Sequence, residues 1–167
     1  MADDGHPPKG PHGPVWFALG GFIAVCFTVA ALGGAVTATS VGTWYQTLDK
    51  PAFTPPDWVF APVWNALYMM MALSGFLVWR VSEGTERRVA LLLFGVQLAL
   101  NFAWSYLFFG VNAVGAAFIE SIVLWLAVAA TTFLFWRVDV RAGLLFLPYL
   151  VWSGFAAVLT GAIWRLN

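Results

Sequence analysis

The chain has 167 residues, 61% hydrophobic and only 10% charged, with mean hydropathy +0.81; a soluble domain is about 45–50% apolar and about 25% charged. That imbalance excludes an ordinary water-soluble domain. The formal net charge of +0 excludes the basic surface that a nucleic-acid binder needs.

In chain order, residues 1–14 come first, rich in Pro, Gly and polar side chains. They read as a disordered tail. The tail lacks the basic start and small-residue cleavage site of a signal peptide. His6 and His12 fall in it and read as solvated residues rather than metal ligands. Five apolar stretches follow, at about 15–39, 58–81, 89–109, 113–136 and 142–164. Each approaches or exceeds the ~20 residues that carry a helix across a ~30 Å hydrocarbon layer. Lipid offers no water to an open backbone, so the spans are expected to be helical. The prediction is an all-α membrane protein, one domain over 15–167, folded as a bundle of five transmembrane helices. The single cysteine, Cys26, lies in the first span and reads as a small buried hydrophobe.

The connections differ in character. Residues 40–57 form a long loop with Pro51, Pro55 and Pro56, 82–88 a short charged one, 110–112 a tight uncharged turn and 137–141 a short basic one. With five spans, Lys9, Arg80, Arg87, Arg88, Arg137 and Arg141 share one side, and Lys50 and Arg165 the other. The positive-inside rule then puts the N-terminus in the cytoplasm, for a bacterial cell membrane.

The second span offers Trp64, Asn65 and Tyr68 at neighbouring helical positions, with Pro62 tolerated in its first turn. On the third, Gln97, Asn101, Trp104 and Ser105 share a face, and amides so placed are expected to look into the bundle. The opposite face carries Gly95, Ala99 and Ala103, a ridge of small residues that lets helices approach closely, whether within the chain or in a second copy. The fifth span presents Tyr149, Trp152, Ser153, Ala156 and Thr160 on one face, with Pro148 near its start. Aromatic walls with a few oriented donors suit a small-molecule pocket; ordinary packing of aromatics is the plainer alternative. Glu120 in the fourth span is the acid deep in the membrane. It is either structural, a ligand-tuning group or a proton carrier. No catalytic Ser, His and acid set and no metal-ligand spacing appears, and no span holds a histidine to ligate a haem.

Three segments carry a resemblance. The first loop reads Trp44-Tyr45-Gln46-Thr47-Leu48-Asp49-Lys50-Pro51, then Pro55-Pro56-Asp57-Trp58-Val59, then Pro62-Val63-Trp64. The third span runs from Gln97 through Asn101 and Trp104 to Phe108-Phe109-Gly110, and the fifth holds Pro148-Tyr149, Trp152 and Ala156. Together they resemble the tryptophan-rich sensory protein / translocator protein family, over about 16–167. The resemblance implies a five-helix bundle, commonly a homodimer, with a cavity closed by the first loop. The implied ligand is a porphyrin, notably protoporphyrin IX, or a drug-like flat aromatic molecule, and no obligatory cofactor is implied. By position it implies ligand-binding roles for Tyr45, Trp64, Tyr68, Asn101, Trp104, Tyr149, Trp152 and Ala156. It puts the ridge of Gly95 and Ala99 at a dimer face, and Glu120 at a position often acidic. Sensing is the leading expectation, with light- and oxygen-dependent porphyrin breakdown or transport of porphyrin or lipid as alternatives. No basic residue follows Tyr149 within five positions, so the sterol motif of animal members is missing.

Overall fold

The computed structural model describes residues 15–167; the predicted tail, with His6, Lys9 and His12, lies outside the described residues. Among the described residues every regular element is helical. In order they are α1 (Val15–Ala38), α2 (Trp44–Thr47), α3 (Asp57–Val81), α4 (Gly84–Ser105), a π-helical turn (Tyr106–Gly110), α5 (Val114–Val138) and α6 (Val140–Leu166). Five are long and apolar enough to cross a membrane, the π turn continuing α4. The chain is an integral, multi-pass membrane protein.

The helices overrun the apolar stretches that announce them. α4 starts at Gly84 and takes in Glu86, Arg87 and Arg88, a segment predicted to be loop. Hydropathy marks where oil ends, whereas backbone hydrogen bonding continues into the interface. The α3–α4 connection shrinks to Ser82 and Glu83 because Gly84 takes φ +65°, a conformation glycine reaches without strain. Pro148 lies inside α6 and does not end it.

The last turn of the third span is not the predicted tight loop but a widened helix. The Val111 amide donates to the Tyr106 carbonyl at 3.0 Å, a π-type bond reaching five residues back. Asn112 then reverses the chain at φ 56°, which its short polar side chain tolerates.

The spans form a ring in the order α1–α3–α6–α5–α4, and α3 also meets α4 and α5 across the middle. The α5–α6 contact is closest, because aromatic knobs sit on glycines. Phe118 rests on Gly161, Trp125 on Gly154 and Trp136 on Gly143, while Trp164 of α6 rests on Gly115. A Cβ at Gly154 would come within 2.9 Å of the Trp125 indole nitrogen. Within the helices, hydroxyls are satisfied locally: Thr131, Thr132 and Thr160 each donate to the carbonyl four residues earlier, as lipid surroundings require.

The bundle is solid at one end and hollow at the other. The end holding the short loops is filled by Met71, Val78, Phe94, Val128, Phe135 and Phe146. Phe94, Phe135 and Phe146 pack ring on ring at centroid distances of 5.2–6.1 Å. Ser74 ties α3 to α6 there through a 2.7 Å hydrogen bond to the Ala142 carbonyl. The other end lies under the long first loop.

Candidate functional site

The first loop acts as a lid, pinned at several points. At its start the Ser40 hydroxyl donates to the Phe109 carbonyl at 2.6 Å. The short α2 then drops two rings onto the π turn: Trp44 meets Phe108 edge-on at 5.6 Å, and Tyr45 meets Phe109 at 5.6 Å. Lys50 holds its ammonium 4.2 Å from the Tyr45 ring centroid and donates to Gln46 at 3.4 Å. Gln46 in turn donates to Asp57 at 3.0 Å. Burial, reinforced by the Asp57 charge, pushes the Tyr45 phenol above its ordinary value, so it is neutral at physiological pH. Further on, Phe53 sets its edge against Phe155 at 6.3 Å. The prolines fix φ along this stretch and lower the entropy lost on ordering it.

Beneath the lid lies a cavity of about 420 Å³, within the size range of small-molecule sites. Its walls come from α1, α2, α3, α4 with the π turn, and α6; α5 contributes none. Of the predicted site residues, Tyr45, Trp64, Tyr68, Asn101, Trp104, Trp152 and Ala156 line it together. The convergence has a helical cause: Trp64 and Tyr68 lie one turn apart on α3, as do Trp152 and Ala156 on α6.

Tyr149 is placed differently. It is fully buried below the cavity and reaches it only through hydrogen bonding. Tyr68 donates its hydroxyl to the Asn101 side-chain oxygen, and the Asn101 amide donates to the Tyr149 hydroxyl at 3.0 Å. This relay joins α3, α4 and α6 and forms the floor. The Trp64 ring closes over it, 5.8 Å from Tyr68 and 6.1 Å from Tyr149.

Two polar atoms in the wall lack partners. The indole N–H groups of Trp104 and Trp152 are buried and find no acceptor among the described residues. A buried donor left unmade costs about 1–3 kcal/mol. The carboxylate oxygens of Glu120 are also buried and unpaired, but Glu120 does not line the cavity. Gln97 is fully buried, as its face predicted, and its amide too finds no partner.

The small ridge of α4 is split. Gly95 and Ala99 are exposed and Ala103 is half-buried. A Cβ at Gly95 would meet nothing within 4 Å, so none of the described helices packs against that point.

Sequence reasoning did not assign Phe60, Phe108 and Phe155 to the wall. Phe108 stacks on Trp104 at 5.2 Å and meets Phe109 at 4.8 Å. The wider π turn lets both consecutive phenylalanines face inward, and an α-helical wheel does not anticipate that. Phe155 stands one turn before Leu159 on the face that carries Trp152, which was the available signal. Among the described residues no group of three His, Cys, Asp or Glu side chains comes together to hold a metal ion.

Comparison with known proteins agrees with this architecture. The model of the TspO/MBR family matches residues 22–165. The chain is similar to protein CrtK of Rhodobacter capsulatus, at 40% identity over 86% of this chain and 91% of that one. It is 39% identical to the tryptophan-rich protein TspO of Chlorobaculum tepidum, over 87% of this chain and 92% of that one. To the translocator protein of Homo sapiens it is 37% identical over 92% of each.

Proposed function

The chain belongs to the TspO/MBR family, and from that premise we propose that it is a membrane receptor whose lidded cavity takes a flat aromatic guest, a porphyrin such as protoporphyrin IX. One observation carries the reading: a 420 Å³ space walled by Trp64, Trp104, Phe108 and Trp152, with two indole donors unmet. Aromatic pairs add about 0.5–1.5 kcal/mol each beyond burial, and the free N–H groups suit carboxylate or carbonyl oxygens at a guest's rim. Tyr45 and Lys50 close the cavity from above.

Protoporphyrin IX added to the purified protein quenches tryptophan fluorescence saturably in this reading. Trp152→Phe keeps an aromatic ring, though a smaller one, and removes the indole N–H; it weakens binding at least tenfold, one lost hydrogen bond of about 1.4 kcal/mol accounting for that factor. Quenching that fails to saturate, or that is indifferent to Trp152, removes the proposal.

Orientation and assembly belong to the same reading. Arg80, Arg87, Arg88, Arg137 and Arg141 gather at the end opposite the lid, which supports a cytoplasmic N-terminus in a bacterial cell membrane. The exposed Gly95 and Ala99 support a homodimer through α4; Ala103 borders that face.

A further inference from the structure

One face of α3 lines the cavity from mouth to floor: Asp57, Phe60, Ala61, Trp64, Asn65 and Tyr68, recurring at helical spacing. From Asp57 to Tyr68 it runs about 16 Å at 1.5 Å per residue. Asp57 is the charged residue of the cavity lining; every other lining side chain among the described residues is neutral. The hollow therefore carries a negative charge at its mouth, with only rings, amides, hydroxyls and aliphatic groups below it.

Nothing cancels that charge directly. Among the described residues the one salt bridge joins Arg141 to Asp139, so Asp57 has no ion-pair partner there. Gln46 donates to its Oδ2 at 3.0 Å. Lys50 reaches Asp57 only through Gln46 and does not line the cavity. The charge is felt across the mouth, where it adds to burial in raising the phenol of Tyr45 on the lid. An acid in the first turn of α3 also suits the positive end of the helix dipole, a purely structural role that predicts equal effects on every guest.

We propose that Asp57 selects the guest by charge, and that the favoured guest is a flat aromatic cation, a ring system bearing a protonated amine or quaternary ammonium at the rim that ends beside the lid. Asp57 supplies the counter-charge, and the ring faces of Phe60 and Trp64 below it favour the same sign. Protoporphyrin IX fits this scheme with its carboxylates at the indole N–H groups of Trp104 and Trp152, not at the mouth. That the guest is flat and aromatic rests on the receptor reading above; the charge preferred at the mouth does not.

Three probes share one ring system and differ in charge at the rim: protoporphyrin IX, its neutral dimethyl ester, and its bis-amide with a quaternary ammonium amine. Each is titrated into the full chain in nonionic detergent and followed by tryptophan quenching. Variant and parent are compared for the same probe, so partition into micelles cancels. Asp57→Asn keeps an acceptor for Gln46. It is expected to weaken the cationic probe about fivefold, the upper range for an exposed ion pair, to leave the ester unchanged and not to weaken protoporphyrin IX. Asp57→Lys puts the cationic probe below the dicarboxylate. A cationic probe indifferent to Asp57→Asn overturns the selection, and three probes weakened alike overturn it in favour of the structural role. A second arm uses acridine orange, a small flat cation, followed by fluorescence anisotropy. Should no porphyrin quench saturably while this dye binds and is weakened by Asp57→Asn, the porphyrin reading falls and the charge selection stands. A dye that fails to bind, or that binds with indifference to Asp57→Asn, removes the selection as well.

Discussion

The Asn167 side chain and the Asp49 backbone hold each other in both directions. The Asp49 amide donates to the Asn167 oxygen at 3.0 Å, and the Asn167 amide donates to the Asp49 carbonyl at 3.0 Å. The same nitrogen reaches the Ile163 carbonyl at 2.9 Å, so the end of α6 clasps the middle of the lid. Both partners are exposed, and each bond nets about 0.5–1.5 kcal/mol. Asn167→Ala is expected to ease local opening of the lid by about 1–2 kcal/mol, a factor of roughly 5–30. Hydrogen exchange at the Asp49 amide measures it. Unchanged protection there would mean that the aromatic contacts alone hold the lid.

The floor of the cavity is a polar chain whose central member serves two tyrosines. Asn101→Leu leaves the hydroxyls of Tyr68 and Tyr149 buried without that partner. The expected cost is about 2–3 kcal/mol, since unmet buried groups cost more than a made bond returns. Adding Tyr68→Phe and Tyr149→Phe removes the orphans and recovers most of the loss. Unfolding in mixed detergent reads the two variants. A triple variant no more stable than the single one contradicts the relay.

Much of this was legible in the sequence, and the failures share a cause. The five spans follow from hydropathy, because a lipid solvent leaves few alternatives to a helix. Trp64, Asn101, Trp104 and Trp152 were found by helical phase, which survives folding. Tyr149 shares the phase of Ala156 but lies further from the lid, and phase carries no information about where along an axis a hollow ends. The inward turn of Phe109 depends on a π-type hydrogen bond set by packing, and local sequence does not encode that bond.

Glycines on opposite faces should respond differently to the same methyl group. Gly143→Ala puts a Cβ 2.8 Å from the Trp136 Cα, a backbone atom that cannot rotate away. About 1–3 kcal/mol of strain is expected, read as a lowered melting temperature. At Gly95 a methyl enters open space, and Gly95→Ala leaves that temperature unchanged or raises it. Gly95→Leu instead tests the dimer. Loss of the cross-linked dimer with an intact monomer fold supports assembly through α4, and an undiminished dimer places the contact elsewhere.

Asp139 caps α6 by accepting from the Arg141 backbone amide at 2.8 Å and pairs with its guanidinium at 2.9 Å. The hydrogen bond from Arg141 holds the Asp139 carboxyl below its ordinary value. A carboxyl depressed in the folded state stabilises above its unfolded pKa of about 3.9 and loses that contribution as pH falls through the folded one. Asp139→Ala should cost about 0.5–2 kcal/mol at pH 7. The gap between variant and parent should close only below about pH 4; a gap that persists at pH 2 assigns the effect to packing.

The ring order carries a lesson about biogenesis. α6 stands between α3 and α5, although the ribosome delivers it after both. Until it is inserted, the flank of α3 that will meet it and the α5 rings of Phe118 and Trp125, whose glycine sockets α6 carries, are bare. The hollow then has no fourth wall, and Asp49 has nothing to grip it. Assembly of the bundle is therefore a late event in synthesis, decided when the last hydrophobic segment slides into a gap that its predecessors have kept for it.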